Sequence, residues 1–312
     1  MPSALNLGVD VAKDSLQVAE ADSLMAATRL SNNGAAIRAW LATLPAGSRI
    51  AMEATGRYHQ LLADLAHRAG MIVYVVNAYD LRHYARGVGV RGKTDRVDAR
   101  LIARYLAHEG SHLHPYTPAT PAQREIDELL RRRATVVNTR TRLSLSLRGV
   151  AHCASDLRSI LKRLDSLIAK FDRRLRELAR GQAEAEQRVE SVLGIGPLVG
   201  VALTNTFTRV PLRNANAAVA FVGLDPRAKD SGELIGRRRL SKRGPAELRR
   251  LLFNAARSAS KTKVWHPLYE RYRARGLSTT EATVILARKL LRVAFSIYRH
   301  GTTFDPERLV RA

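Results

Sequence analysis

The sequence predicts a mixed α/β domain followed by a long, mainly helical region. Three observations carry that prediction. Strand-like and helix-like patterns alternate over the first 110 residues. A regular heptad of apolar residues then runs from Leu157 to Leu178. The charge is also divided unevenly: residues 1–110 hold 13 basic and 10 acidic side chains, and residues 111–312 hold 39 and 18.

The N-terminal elements follow from their periodicity. "ALNLGVDVA" and "SLQVAEA" alternate apolar and polar residues and read as a strand pair, with "MAATRLS" as a third strand. "GAAIRAWLATL" has helical spacing, and "SRIAMEA" is a short buried strand. "RYHQLLADLAHRAG" is a helix ending at Gly70, "MIVYVVN" a fifth strand, and "TDRVDARLIARYLAHEG" a helix stopping at Gly110. Three strands, helix, strand, helix, strand, helix imply a mixed sheet with helices packed on it.

Pro115, Pro118 and Pro121 punctuate a linker. Beyond it, Ile126, Leu130, Val137, Leu143, Leu147 and Val150 line one helical arm. Leu157, Leu161, Leu164, Ile168, Phe171, Leu175 and Leu178 line a second, in alternating steps of four and three. Gly149 and "HCAS" mark a bend between them. The arms suit an intramolecular hairpin and an intermolecular coiled coil alike. "SVLGIGPLVGVAL" sets Gly194 and Gly196 between two helical stretches. Glycines there let backbone N–H groups approach a phosphate, as in a helix-hairpin-helix, and serve a plain tight turn equally well. "ATVILARKLLRVAFSIYRHG" is a final amphipathic helix that reads as core. Domain bounds of 1–112, 113–185 and 186–312 follow.

Composition narrows the partners. The formal net charge is +24, from 52 Lys+Arg against 28 Asp+Glu, which makes nucleic acid the leading partner. Aromatics are few, which argues against a stacking platform for single strands and for phosphate-backbone contacts. No apolar run of about 18 residues exists and the N-terminus lacks a signal-peptide layout, so a cytoplasmic protein with no membrane partner is expected. Cys153 is the only cysteine, which removes internal disulfides and multi-cysteine zinc sites.

Four acids stand out by position. Asp10 lies within the first strand, Glu53 ends the fourth, and Asp95 and Asp98 begin the helix after the fifth. Asp95 and Asp98 lie three apart, on one helix face. That spacing suits a divalent cation, and it suits a variant capping box. A carboxylate in mid-strand is costly unless paired, which favours a ligand role for Asp10. Hard oxygen ligands suit Mg²⁺, or Mn²⁺, and two such ions about 3.5–4 Å apart can assist phosphoryl transfer.

"GVDVAKDSL", "AMEATGRYH", "RGKTDRVDARLIARY", "VLGIGP" and "FVGLDPRAKDSG…RRRLSKRGPAELRRLLFNAA" follow in order. In these the chain closely resembles the DEDD-type insertion-sequence transposases, the family that includes the Piv DNA invertases, over roughly residues 4–306. The resemblance implies a RuvC-like (ribonuclease-H-like) domain with a metal site at Asp10, Glu53, Asp95 and Asp98, a coiled-coil middle, and a mainly helical C-terminal transposase domain. It implies a nucleophilic serine at Ser231, a non-coding guide RNA pairing with donor and target DNA, and a homo-oligomer, dimer or tetramer, with shared active sites. Read without the family, the "DSG" at Ser231 is an ordinary turn signal. Arg227, Lys229, Arg237, Arg238, Arg239, Lys242 and Arg243 flank it, and with Lys93 are candidates to grip phosphates. Asp225 in "GLDP" stands where the family commonly has an uncharged residue. The expected function is a recombinase of a mobile element. Its rivals are a site-specific invertase without an RNA guide and a RuvC-like junction nuclease.

Overall fold

The computed structural model describes residues 4–21, 27–54, 56–89, 95–227 and 239–310, with the side chains of 95–97, 309 and 310 outside that description. The chain forms two compact units, Met1–Pro118 and Ala119–Ala312.

In the N-terminal unit, β1 (Asn6–Val11), β2 (Ser15–Glu20), β3 (Thr28–Ser31), β4 (Arg49–Glu53) and β5 (Ile72–Val76) form one sheet in the order β3-β2-β1-β4-β5. β2 is antiparallel to β1 and β3, and β4 is parallel to β1 and β5. The mixed sheet expected from the element order is therefore present. Its helices are α1 (Gly34–Leu41), α2 (His59–Arg68), α3 (Ala78–Gly87) and α4 (Asp95–Glu109). Helix α3 is an addition to the elements expected from the sequence. Its local signal is Asn77, whose side chain caps the helix by accepting from the Tyr79 amide, with Asp80 in the first turn. One sheet face buries Leu7, Val9, Leu16, Ile37, Ile50, Met52 and Leu62. The other buries Ala51, Tyr74 and Val76 with Leu81, Ile102 and Leu106. Tyr116 extends this unit beyond the expected boundary at 112: its amide donates to the Val73 carbonyl at 2.7 Å and its hydroxyl to Asp64 at 2.8 Å.

The C-terminal unit opens on a long antiparallel hairpin of α5 (Pro121–Ser146) and α6 (Ala154–Ala179). Thr120 and Gln123 close a capping box at the start of α5, with Pro121 in its first turn. Gly149, at φ +84°, turns the chain between the arms. Bidentate pairs bridge the arms in opposite order, Arg133 with Asp172 (2.5 and 3.0 Å), Arg140 with Asp165 (2.5 and 3.0 Å) and Arg174 with Glu125 (2.7 and 3.1 Å). Arg140 holds the Asp165 carboxyl below its ordinary range. The two arms thus meet as an intramolecular hairpin, with Leu145, Ile160 and Leu167 exposed on its outside.

The helices α7 (Ala183–Glu190), α8 (Pro197–Arg209), α9 (Ala215–Val222), α10 (Ala246–Ala259), α11 (His266–Ala274), α12 (Thr279–His300) and α13 (Glu307–Val310) follow, with the two-residue strands β6 (Pro226–Arg227) and β7 (Arg239–Leu240) between α9 and α10. The hairpin and this region were expected as separate domains. Both belong to one unit, because Ile126, Leu130, Leu175 and Ala179 share a core with Val192, Leu203, Leu252, Trp265 and Leu290. Asp127 of α5 fixes the join by accepting from Asn205 at 2.8 Å and from Arg209. No helix among the described residues is long and apolar enough to cross a membrane.

Two predictions follow from this packing. A Cβ on Gly8 would lie 2.2 Å from both the Ala103 amide nitrogen and the Ala99 carbonyl oxygen, which are backbone atoms of α4. Gly8→Ala should destabilise the N-terminal unit by about 1–3 kcal/mol, the usual range for overpacking. An unchanged denaturation midpoint would show that α4 does not sit against β1. In the C-terminal unit, burial and the adjoining Glu190 push the half-buried Glu186 carboxyl up to about 7 from 4.5. A raised folded-state value means that its stabilising contribution is complete below pH 4.5 and is lost as pH rises through 7. Glu186→Gln should therefore gain melting temperature on the wild type between about pH 5 and about pH 8. A pH-independent difference between the two would contradict the shared-proton pair.

Candidate active site

The sheet order brings two of the four acids together. β1 and β4 are parallel neighbours in the register Val9↔Met52, so Asp10 and Glu53 follow as the next residues toward the carboxyl ends of the two strands. Asp10 also faces Gln17 across the antiparallel pair with β2, and Glu53 faces Val76 of β5. Alternation puts Gly8 and Asp10 on one face of the sheet, with Ala51 and Glu53 beside them and Tyr74 and Val76 beyond. Ala51, Tyr74 and Val76 pack against Ile102 and Leu106 of α4. Asp10 and Glu53 therefore lie on the face that α4 covers, and both are half-buried.

The direction of α4 brings in the third acid. Its middle rests on Gly8, where the missing side chain lets the backbone at Ala99 and Ala103 meet the strand directly. Just past its last turn, Gly110 leaves room for the guanidinium of Arg49, which opens β4: a Cβ there would lie 2.0 Å from an Arg49 terminal nitrogen. Arg49 is held by Asn6 at 3.4 Å and lies over the Tyr74 ring at 5.3 Å. The end of α4 thus lies at the amino ends of the strands and its start at their carboxyl ends. Asp98, half-buried, is one residue before the Ala99 carbonyl that faces Gly8. Helical side chains lean toward the helix N-terminus, which here is the edge carrying Asp10 and Glu53.

Asp10, Glu53 and Asp98 accordingly share one face and one edge of the sheet. Asp95 is the first residue of α4, and its side chain lies outside the described residues, as does Lys93. Among the described residues, no three Asp, Glu, His or Cys side chains are close enough together to cage a metal ion. The donor set is nevertheless all hard oxygen, the type that divalent magnesium or manganese takes. Both acids of "KTDRVDAR" fall in the first turns of α4, where negative charge also complements the helix dipole. A capping contribution and a ligand role are compatible there.

In the C-terminal unit, β6 and β7 form the stem of a hairpin, with Pro226 opposite Leu240 and Arg227 opposite Arg239. Ser231, Lys229, Arg237 and Arg238 lie in residues 228–238, outside the described residues. The stem itself is tightly built. The Ser241 amide donates to the Asp225 carbonyl at 2.9 Å, and its hydroxyl donates to the Asp225 carboxylate. The Lys242 amide donates to the Gly223 carbonyl at 3.1 Å. Gly223 is left-handed, at φ +73°, and a Cβ on Gly244 would lie 1.8 Å from the Phe221 carbonyl oxygen, so the two strand ends cross backbone to backbone. Arg249 of α10 locks the crossing by donating to the carbonyls of Val222 (3.0 Å) and Gly244 (2.5 Å). The departure at Asp225 thus has a local role as the acceptor that ties the two ends of the stem. Neither that role nor Arg249's was visible in the sequence, since the partners lie 16 and 27 positions apart. Arg239, Lys242 and Arg243 are exposed beside the stem, and Arg227 is half-buried.

The two glycines of "LGIGP" differ. Gly194, at φ +102°, abuts α10, where a Cβ would come within 2.5 Å of the Ala259 Cβ. Packing accounts for that glycine. Gly196, exposed at the N-cap of α8, has open space where its side chain would be.

Residues 7–152 match the IS110-type DEDD model described as "Transposase", and residues 186–272 match the model described as "Transposase IS116/IS110/IS902 family". The chain is 27% identical to the pilin gene-inverting protein of Moraxella bovis over 81% of each chain, with the same figures for that of Moraxella lacunata. It is 25% identical to the transposase for insertion sequence element IS1111A of Coxiella burnetii, over 96% of this chain and 90% of the relative. With both models matched in chain order and these relatives aligned over most of its length, the chain belongs to the IS110/IS116 family of transposases.

Proposed function

We propose that this protein is the recombinase of an insertion sequence, cleaving and rejoining DNA with Mg²⁺ held by Asp10, Glu53, Asp95 and Asp98 and with Ser231 as nucleophile. The observation that carries the reading is the shared edge: a mid-strand Asp, a strand-end Glu and the N-terminal acid of an antiparallel helix on one sheet face. The three carboxylates bring negative charge to one edge, which a divalent cation would offset. When bound, magnesium would offset charge on the phosphoryl group in flight and on the hydroxyl ends. The rest falls to the chain. Ser231 Oγ attacks the scissile phosphorus, loses its proton, and forms a phosphoserine as one P–O bond of the strand breaks and frees a hydroxyl end. A second hydroxyl end then attacks the phosphoserine, which restores the serine and joins the strand. Each step exchanges one phosphoester bond for another, so no nucleotide hydrolysis is required. Arg227, Arg239, Lys242 and Arg243, with Arg237 and Arg238, supply cationic donors around the stem.

The strongly basic balance of residues 111–312 supports donor and target DNA as partners, and the resemblance supports a guide RNA and a homo-oligomer with active sites completed between subunits. A second reading is inversion of a DNA segment without an RNA guide, supported by the likeness to the pilin gene-inverting proteins. Sequencing RNA that co-purifies with the protein separates them: an RNA from the element's own flank supports the first, and none supports the second.

Asp98→Asn should lower recombination at least about 100-fold, the scale of losing one stabiliser of transition-state charge, while DNA binding persists. Ser231→Ala should bind DNA and form no covalent adduct on a denaturing gel, where the wild type leaves a phosphoserine peptide for mass spectrometry. Wild-type recombination by Asp98→Asn would return that residue to helix capping alone. An adduct on Ser241, or cleavage without any adduct, would remove the serine assignment.

A further inference from the structure

Helix α12 presents an apolar side to the core through Leu286, Ala287, Leu290, Leu291, Ala294 and Phe295. Its other side carries Arg288 and Arg292, one turn apart. Arg288 is half-buried, and its Nε is enclosed with no hydrogen-bond partner among the described residues. Arg292 is exposed and donates to the neutral side chain of Asn216 at the start of α9. Among the described residues, neither guanidinium forms an ion pair. Several other half-buried arginines of this unit have partners. Arg133 has Asp172, Arg209 has Asp127 and Arg250 has Glu247, while Arg249 has two carbonyls.

Burial and the charge of Arg292 hold Arg288 below its ordinary pKa, and the charge of Asp225, helped by Tyr272, works the other way. Like charges one helical turn apart weaken a helix, and a half-buried cation without a partner weakens a fold. The unit keeps both arginines despite that cost. Arg292 reaches Asn216 at the start of α9, the helix that leads through Gly223 and Asp225 into the β6/β7 hairpin. A planar guanidinium pair that has no ion-pair partner among the described residues is matched by the oxygens of a phosphate.

We propose that Arg288 and Arg292 form a phosphate-binding site at the root of the β6/β7 hairpin, occupied by a phosphodiester of duplex DNA. The assignment to DNA rests on the reading of Ser231 as the residue that attacks DNA, because the hairpin that carries Ser231 springs from this root. Exposed Arg292 meets the backbone first, and Arg288 behind it completes the cation pair.

The test uses the full chain, a labelled linear duplex of random sequence and a random-sequence single-stranded RNA. Arg292→Gln and Arg288→Met should each weaken duplex binding, and each should reduce the slope of log K against log salt by about 0.9 for one lost phosphate contact. RNA binding should keep its slope. Arg288→Met should also melt no lower than the wild type in the absence of DNA, and added duplex should raise its melting temperature less. Arg288→Lys, which keeps charge and loses the planar fork, should retain the salt slope with weaker affinity. An unchanged duplex slope in the Arg288→Met/Arg292→Gln double variant would overturn the proposal. So would a lower melting temperature with unchanged binding, which would make Arg288 structural, or a loss confined to RNA. The slope is read without catalysis: if it falls while Ser231 forms no adduct, the phosphate site stands and the serine reading fails.

Discussion

The direct seating of α4 on β1 at Gly8 is the contact on which the N-terminal unit's candidate site depends. A side chain there would lift the helix by the width of a methyl group or more, because the atoms it would strike are the backbone of Ala99 and Ala103. The seat does two things at once. It lets Ile102 and Leu106 close the core over Ala51 and Tyr74. It also lowers the first turns of α4 onto the strand ends where Asp10 and Glu53 lie. Arg49, wedged at Gly110, fixes the far end of the helix, so its direction is set from both sides. Which face and which edge of the sheet the acids occupy follows from this backbone packing.

The C-terminal unit applies the same device to a different end. There the constraint is the crossing of Gly223 and Gly244, with Arg249 bound to carbonyls on both strands. A two-residue strand pair contributes little stability by itself. Its geometry is held by the crossing, by Ser241 on Asp225, and by α9 and α10 packed behind it. The proposed nucleophile segment therefore springs from a rigid root, and the cation pair on α12 adds an electrostatic requirement at the same root. Cations without an ion-pair partner among the described residues fit a site built for an anion.

Much of the N-terminal unit was legible in the sequence because its signals are local. Alternation marked the strands, Gly70 and Gly110 marked helix ends, and the element order implied a mixed sheet. Asp10 and Glu53 stood out by their places in the first and fourth strands, and the parallel register of β1 with β4 sets them side by side. What stayed hidden is long-range. Gly8 reads as an ordinary strand glycine until α4 lands on it. Gly194 was open to a phosphate role until its contact with Ala259 accounted for it. The heptads of α5 and α6 specified an interface but not its partner, and cross-arm pairs such as Arg133 with Asp172 settle that the arms meet each other. The boundary expected near residue 185 failed to separate two bodies because the hairpin's Leu175 and Ala179 are core residues of the helices that follow. Asp225 looked like a departure from pattern, and its partner Ser241 makes it part of the stem.

The claim that the acid edge is a cation site is tested most directly by titrating the full-length protein with Mn²⁺ and following free ion by electron paramagnetic resonance. The account predicts saturable binding by the wild type, its loss in Asp10→Asn and in Glu53→Gln, and its retention in Ser231→Ala. Equal Mn²⁺ binding by the wild type and Asp10→Asn would contradict it.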